Sequence, residues 1–332
     1  MPTLRTLQAL GLGLAGLAVG AAFALSRPFR SEEYETMRED VARTAAFYKA
    51  IDALAPDAVV LDLGTGALAL LARRAAKAGA RRVYAVEASK FAAQEASKVL
   101  ENKDPVSVIL GRSQEIHLPE PVDLVVHEIL GEIASREGVV TSLLDAERFV
   151  PPAAKLQCWS VPSGAQTMIA PAEMPTPRYF ENFRARTGTF LAMPAAGTRM
   201  LRFPNLPVSE SILAEPQIFE DLKWGKACSM KIHQRRLTRF RVTREGLLSG
   251  FVFFIMVHFP VDIAPVSSAD EESHWANSFC TVDRPVTVTP GDFLEVESEV
   301  DLSSDTPTYV LAAKLRRMGG EVENLMQRYV FH

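Results

Sequence analysis

The sequence is poor in cysteine, and its few cysteines are scattered. The 332 residues include three, Cys158, Cys228 and Cys280, and no two of them form a CxxC pair. A disulfide framework or a structural zinc site needs more thiols at closer spacing. We therefore expect reduced thiols, a reducing compartment and no bound metal.

The chain also lacks an excess of positive charge. Lys and Arg number 36 against 40 Asp and Glu, which gives a net charge of −4 at pH 7. Binding to nucleic acid depends on a basic surface, so this balance argues against a nucleic-acid partner. One basic run does occur, KIHQRRLTRFRVTR at 231–244. We interpret it as the solvated face of a strand, with an RNA or membrane patch as the alternative.

Charge is missing altogether from residues 6–26, TLQALGLGLAGLAVGAAFALS. A helix of this length would span about 31 Å, enough to cross a bilayer. Three interpretations compete: a retained membrane anchor, a cleaved signal with Ala22-Phe23-Ala24 at its cleavage site, and an organelle transit peptide. We expect an anchor with a cytosolic body, because Arg27 and Arg30 follow the segment. Organelle targeting and a cytoplasmic location are the alternatives.

Between residues 31 and 150, short apolar runs alternate with helical stretches. SEEYETMREDVARTAAFYKAIDALA at 31–55 predicts a helix with Ser31 as its N-cap. It is followed by a repeated strand and helix pattern, with strands predicted at 58–63, 82–88, 106–111 and 122–130 and helices at 67–79 and 90–103. This alternation is typical of an α/β fold, a doubly wound Rossmann-like sheet with its ligand at the carboxyl ends of the strands.

The pattern changes after Pro151-Pro152. Residues 153–332 consist of short β-like runs between turns, and GDFLEVESEV alternates apolar and polar residues as a strand does. The sequence thus predicts three parts: an N-terminal segment at 1–30, a ligand-binding α/β domain at 31–150 and an all-β, barrel-like domain at 151–332.

A glycine-containing turn follows the first predicted strand. VLDLGTG places Gly64 and Gly66 between that strand and a helix, where glycine lets the backbone approach a ligand closely. Glu87 ends the next strand, and its carboxylate can accept hydrogen bonds from both ribose hydroxyls. The third glycine of a dinucleotide loop is absent, since Ala67, Leu68 and Ala69 follow. A nucleoside ligand without phosphate is therefore favoured over NAD.

A pair of acids forms a second candidate binding site. Glu128 ends the strand VDLVV, and Glu137 follows nine residues later, after Gly131. Two carboxylates brought together at a strand end can hold a planar cation, and guanidinium is the natural guest because it donates paired hydrogen bonds. An ordinary solvated loop is the alternative.

With these motifs in chain order, residues 34–332 resemble the protein arginine methyltransferases. VLDLGTG resembles the family's S-adenosylmethionine loop, and the two glutamates around Gly131 resemble its double-glutamate loop. Ser273-His274-Trp275 is similar to the family's threonine–histidine–tryptophan loop. Met37, Asp40 and Arg43 match the spacing of three residues in its first helix.

The resemblance implies a role for each matching residue. Catalysis would involve Glu128 and Glu137 together with a hydrogen-bonded pair, Asp40 and His274. Trp275 would lie at the substrate. The S-adenosylmethionine site would comprise Met37, Arg43, Asp62, Gly64, Gly66, Glu87 and Gln114. Within it, Arg43 would pair with the cofactor's carboxylate and Gln114 would stand where the family has a glutamate near adenine.

The sequence also departs from this family. His127 stands where a serine is usual, and no aromatic motif precedes the first helix. The expected function is methyl transfer to arginine in a protein substrate. A small-molecule methyltransferase and an inactive, membrane-tethered interaction module are the alternatives. Residues 175–215 are where the dimerisation arm should fall, and they show no helical hairpin pattern, so a homodimer is expected only from the resemblance.

Overall fold

The computed structural model describes residues 40–100, 105–151, 156, 158–187, 199–224, 230–269 and 273–332. The predicted segment at 1–30 lies outside these residues, as do Ser31, Met37 and Cys228. No helix in the described part of the chain combines the length and the apolar character needed to cross a bilayer.

The first layer is a five-stranded parallel sheet in the order β3-β2-β1-β4-β5. Its strands are β1 (Val59–Leu63), β2 (Arg82–Glu87), β3 (Val106–Leu110), β4 (Leu124–His127) and β5 (Ser160–Val161). The helices beside it are α1 (Val41–Leu54), α2 (Leu70–Lys77), α3 (Lys90–Val99) and α4 (Val139–Ala146). All five residues of β1 are buried, as expected for a central strand covered on both faces. The predicted Rossmann-like sheet is confirmed.

Helix α1 shows how the sequence produces this layer. Its buried residues recur at helical spacing: Arg43, Ala46, Phe47, Ala50 and Ile51. Among the described residues the N-cap is Asp40, whose side chain accepts a hydrogen bond from the Arg43 amide at 3.0 Å. The sequence predicted one helix over 31–55; the helix described here begins at Val41, and the predicted part at 31–39, with Ser31 as N-cap, lies outside the described residues.

The boundary after residue 150 differs from the prediction in one respect. Ser160–Val161 pairs in parallel with β4 and so lies in the first sheet. The sequence placed this stretch in the second domain, since a two-residue strand is too short for its pattern to reveal its sheet.

The second domain is built from two antiparallel sheets. One contains β6 (Gly164–Ala172), β7 (Met200–Phe203), β8 (Gln217–Lys223), β10 (Gly246–His258), β11 (Val266–Ser267) and β12 (Asn277–Val288). The other contains β9 (His233–Arg241), β13 (Phe293–Asp301), β14 (Thr308–Arg316) and β15 (Val322–Phe331). The domain also carries α5 (Pro177–Thr187) and α6 (Val208–Ser211).

Aromatic residues join the two sheets. Phe219 lies 6.0 Å from Tyr309, and Phe253 lies 6.2 Å from Phe331, measured between ring centroids. β8 lies beside β9 and β12 beside β15, so the two sheets meet along two edges, and the β-rich second domain expected from the sequence is confirmed.

The basic run at 231–244 forms β9, an edge strand with alternating burial. Its cations face acids on β13: Arg239 pairs with Glu295 at 3.1 Å and Arg235 with Glu299 at 3.4 Å. This is the arrangement of a solvated strand face with compensated charge.

Helix α5 is a feature that the sequence did not predict. Its residues, PRYFENFRART, are rich in aromatics and arginine, and Thr176 with Pro177 at its start are residues typical of a helix N-terminus. Tertiary packing stabilises it, since Tyr179 packs edge-on against Phe203 at 6.0 Å. Packing outweighs weak intrinsic helix preference here.

Candidate active site

A cavity of about 440 Å³ lies at the carboxyl edge of the parallel sheet. Four strands end at its wall, as expected for a doubly wound fold. The lining comprises residues from these strand ends, from α4 and from the second domain: Leu63, Gly64, Gly66, Val86, Glu87, Ala88, Gly111, Arg112, Ser113, Gln114, Glu128, Ile129, Glu137, Gly138, Ser142, Asp305 and Thr306. Both predicted groups of residues, the glycine turn with Glu87 and the pair of Glu128 and Glu137, therefore border one cavity.

The glycine turn has the backbone conformation that its residues suggested. Gly64 has φ +70° and Gly66 has φ +65°, values that side chains disfavour. A Cβ atom at Gly64 would lie 2.8 Å from Cγ2 of Ile129, so the turn is also sterically tight. The amides of Gly64 and Thr65 donate to the carbonyl of Val86 at 2.9 and 3.1 Å, which fixes the turn against β2.

Asp62 holds this turn to helix α2. Its Oδ2 accepts hydrogen bonds from Thr65 Oγ1 at 2.6 Å and from the Ala72 amide at 3.0 Å. The other oxygen, Oδ1, is buried and has no partner among the described residues. Burial raises the pKa of Asp62 to about 7. Asp62 also lines a smaller cavity of about 50 Å³ together with Arg43 and Glu128.

Glu87 connects the glycine turn to the rest of the cavity wall. Its Oε2 accepts a hydrogen bond from the Gly66 amide at 2.9 Å, and its Oε1 accepts one from the Ser89 amide at 2.8 Å. An ionised carboxylate has about four acceptor positions, so two remain for hydroxyls of a ligand. Gln114 lies in a short helical turn, Ser113–Glu115, and lines the same cavity.

Glu128 is held by groups from two other parts of the chain, helix α1 and the loop at 273–275. Arg43 Nη2 donates to its Oε2 at 2.6 Å, and Trp275 Nε1 donates to its Oε1 at 3.0 Å. His274 Nε2 lies 4.0 Å from Oε2. The side chains of Glu128 and Arg43 are only 5% and 4% exposed, so this ion pair is shielded from water.

This arrangement refines two predictions. Arg43, predicted at the cofactor's carboxylate, pairs with Glu128 and also borders the small cavity beside Asp62. Trp275, predicted at the substrate, is buried and donates to Glu128. The roles of both residues stay predictions, but the structure places both at the first glutamate.

The predicted pair of Asp40 and His274 lies beside this group. Asp40 Oδ2 accepts hydrogen bonds from the His274 amide at 2.9 Å and is 3.0 Å from its Nδ1. Burial raises the pKa of Asp40, but the hydrogen bonds from His274 and Arg43 outweigh it, so this pKa lies below its ordinary value. Asp40 is thus ionised at neutral pH and orients the imidazole.

Glu137 faces the cavity from the other end of the loop. Its side chain is exposed to the cavity but lies within concave protein walls. Desolvation, with the negative charge of Glu128 second, raises its pKa to about 8. The two glutamates thus border the same space and interact electrostatically, as the sequence predicted, and they do so beside the glycine turn.

His127, the departure noted before Glu128, lies apart from the cavity. It is fully buried and packs edge-on against Trp224, with ring centroids 5.0 Å apart. Burial lowers its pKa to about 3, so the imidazole is neutral. Its surroundings are those of a core residue.

The geometry defines the class first: a Rossmann-like domain with a nucleoside-type site, joined to a β-rich domain that contributes to the same cavity. A scan against protein-family models gave no match. Histone-arginine methyltransferase CARMER of Aedes aegypti is 26% identical over 284 residues, covering 79% of this chain and 47% of the relative. The Drosophila erecta protein of the same name is 34% identical over 145 residues, 42% of this chain and 26% of the relative. The chain spans about half the length, or less, of these curated relatives.

Two solved structures have the same fold over most of the chain. Protein arginine methyltransferase 10 of Arabidopsis thaliana superposes with a TM-score of 0.72 at 23% identity, covering 90% of this chain and 97% of the other. The Trypanosoma brucei PRMT1 enzyme–prozyme complex with AdoHcy gives a TM-score of 0.71 at 18% identity, covering 90% and 98%. The resemblance found in the sequence is confirmed: the chain is similar, at low identity, to the protein arginine methyltransferases.

Proposed function

We propose that this chain transfers methyl groups from S-adenosylmethionine to guanidinium nitrogens of arginine in protein substrates. One observation carries the proposal: Glu128 and Glu137 border the cavity that also contains the glycine turn and Glu87. Glu128 and Glu137, which together form a clamp for a cation, therefore share one cavity with the residues that would bind a nucleoside. The sequence similarity to arginine methyltransferases supports the same activity, and it does not favour the small-molecule or inactive alternatives.

The residues present fit S-adenosylmethionine. The cavity volume lies within the range of small-molecule sites, roughly 300–1,000 Å³. Glu87 would hold the ribose and Gln114 the adenine amine, while Asp62, whose buried Oδ1 has no partner among the described residues, lines the smaller cavity together with Arg43. When bound, this cofactor supplies a methyl group on sulfonium, already activated for displacement. Met37, the remaining predicted cofactor residue, lies outside the described residues.

The chain's own residues would supply orientation and charge. A guanidinium is a poor nucleophile because its lone pairs are delocalised and it carries a proton. Glu128 and Glu137 would draw positive charge onto two of its nitrogens and present the third to the methyl group. Glu137 or the His274–Asp40 pair would then accept the proton.

Replacement of Glu128 tests the proposal. We expect Glu128→Gln to abolish methyl transfer from labelled S-adenosylmethionine to an arginine-rich protein, since it removes one charge of the clamp and breaks the buried ion pair with Arg43. Cofactor binding by calorimetry should change little. Glu147→Gln, at an exposed acid beyond α4, is the matched control and should keep full activity. Mass spectrometry should find methylarginine in the wild-type product, and retained turnover in Glu128→Gln would refute the clamp.

We also propose a homodimer, supported by helix α5 within the region where the resemblance puts the dimerisation arm. Light scattering of the purified full chain checks the mass, and a monomer at micromolar concentration contradicts the proposal. Membrane attachment through residues 6–26 stays a proposal from the sequence alone. It predicts that the full chain sediments with membranes and that a chain lacking residues 1–30 does not.

A further inference from the structure

A carboxylate of the second domain is fully buried against the loop that joins the two site glutamates. Glu220 lies on β8 and is 0% exposed. Its Oε1 accepts hydrogen bonds from the Ser135 amide at 3.0 Å and from Thr167 Oγ1 at 2.7 Å. Its Oε2 accepts one from Ser135 Oγ at 2.7 Å. Ser135 is two residues before Glu137.

Two more contacts extend this network. Thr167 Oγ1 accepts a hydrogen bond from the amide of Ala134 at 2.9 Å, so consecutive amides of the loop point to the second domain. Tyr309 Oη lies 2.8 Å from Ser135 Oγ, which makes a third strand, β14, part of the same network. The middle of the loop is therefore attached to β6, β8 and β14.

Burial of this carboxylate is costly. No Lys, Arg or His in the described part of the chain forms an ion pair with Glu220, so hydrogen bonds alone offset its desolvation. Desolvation raises its pKa, and the hydrogen bonds from Ser135 and Thr167 oppose the rise. An apolar residue at this position would pack without such cost, but it would leave the Ser135 amide without an acceptor.

We propose that Glu220 is a positioning residue, which fixes Glu137 at the cavity by holding the backbone and side chain of Ser135. This inference rests on the proposed function, because it assigns Glu220 to the geometry of the arginine site. Glu220 touches neither the cavity nor any predicted ligand, and it acts only through the loop.

Three variants separate positioning from general stability. Glu220→Ala removes both carboxylate oxygens and with them the three hydrogen bonds that Glu220 accepts. Glu220→Gln keeps an oxygen for the Ser135 amide and Thr167, and the Ser135 hydroxyl can reorient to accept a hydrogen bond from the new amide group. Glu173→Ala is the matched control: Glu173 also lies in the second domain and also accepts a backbone amide and an arginine, from Leu247 and Arg244, but it is remote from the loop.

The first readout is hydrogen exchange at residues 129–138, which needs no activity. We expect exchange in this segment to rise at least about tenfold in Glu220→Ala, to stay near wild type in Glu220→Gln and to be unaffected in Glu173→Ala. Unchanged exchange in Glu220→Ala would overturn the proposal. If Glu220→Ala does not fold, Ser135→Ala serves instead, since it deletes the two side-chain contacts and leaves the amide bonded.

The second readout is kinetic. We expect kcat/KM for an arginine substrate to fall about 30-fold in Glu220→Ala, while the Kd for S-adenosylmethionine, measured by calorimetry, stays within about threefold. Glu220→Gln should recover most of the activity. If kcat/KM falls equally in Glu220→Ala and Glu173→Ala, Glu220 only stabilises the fold and the proposal is overturned. If the wild-type chain methylates no arginine, the proposed function is refuted. Hydrogen exchange alone would then show whether Glu220 holds the loop at 129–138 in place.

Discussion

Asp40 and His274 are 234 positions apart in the sequence, yet the carboxylate of Asp40 accepts a hydrogen bond from the His274 amide and lies within hydrogen-bond distance of its ring. The same carboxylate caps the first described helix. One side chain therefore joins the start of the α/β domain to a loop of the β-rich domain, directly beside Glu128.

This relationship predicts an acid-dependent contribution to stability. Because the folded-state pKa of Asp40 is lowered, its contribution is present above the unfolded value of about 4 and is lost as pH falls through the folded value. We expect Asp40→Asn, which keeps a capping oxygen but loses the charge of the hydrogen bonds with His274, to cost about 1–2 kcal/mol at pH 7 and much less at pH 3. Urea unfolding at the two pH values measures this difference. Asp52→Asn, in an exposed pair with Arg74, should lower the free energy of unfolding by less than about 1 kcal/mol. An equal loss of stability in Asp52→Asn and Asp40→Asn would contradict the role assigned to Asp40.

Glu137 predicts a pH profile for activity. Its pKa of about 8 means that much of it is protonated at neutral pH, and only the ionised form can accept hydrogen bonds from a guanidinium. We expect kcat/KM for an arginine substrate to rise with pH up to about 8 and then level off, since this ratio reports the free enzyme. Glu137→Gln should abolish both the rise and most of the activity. A flat profile from pH 6 to 9 in the wild type would disprove this role.

Substitution of Gly64 should impair cofactor binding. A Cβ there would strain a φ of +70° and collide with Ile129. We expect Gly64→Ala to weaken S-adenosylmethionine binding at least about tenfold, because the turn must shift. Gly79 makes a matched control, since it has φ +93° but open space around it. Calorimetry should find that Gly79→Ala binds S-adenosylmethionine with unchanged affinity. If both variants lose affinity to a similar extent, backbone strain alone explains the weaker binding.

The indole of Trp275 offers a test of the Glu128 environment. Trp275→Phe removes the N–H that donates to Glu128 and keeps most of the aromatic surface. Loss of this charged hydrogen bond should cost about 1.5–3 kcal/mol of transition-state stabilisation, or roughly 10- to 100-fold in kcat/KM. Trp224→Phe is the control, because the Trp224 Nε1 has no hydrogen-bond partner among the described residues. An equal fall of kcat/KM in Trp275→Phe and Trp224→Phe, measured by steady-state kinetics, would argue against a specific role for the Trp275 N–H.

Local signals predicted the parts of the site that are close in sequence. Gly64, Gly66 and Glu87 follow strands whose apolar runs are unambiguous, and parallel strands bring their carboxyl ends to one edge. The spacing of Glu128 and Glu137 around Gly131 marked the loop that does face the cavity. In each case the structure depends on neighbours within a few residues or on the rule for parallel sheets.

The contacts that the sequence did not reveal join distant segments. The hydrogen bond between Trp275 and Glu128 spans 147 positions, and that between Ser135 and Glu220 spans 85. Glu220 lies in a mixed run, QIFEDLK, in which a buried acid looks the same as a solvated one. Only the packing of the second domain against the loop distinguishes them.

The arginines of β9 have a consequence for solubility. β9 is the last strand in the hydrogen-bonded order of its sheet, and β8 of the other sheet lies beside it, where the Phe219 carbonyl accepts a hydrogen bond from Arg236 Nε at 3.2 Å. Arg235 and Arg239 extend from this strand toward the acids of β13 and surround it with bulky, hydrated charge. A second chain adding a strand here would have to displace β8 and desolvate those cations, which discourages the stacking from which fibrous aggregates grow.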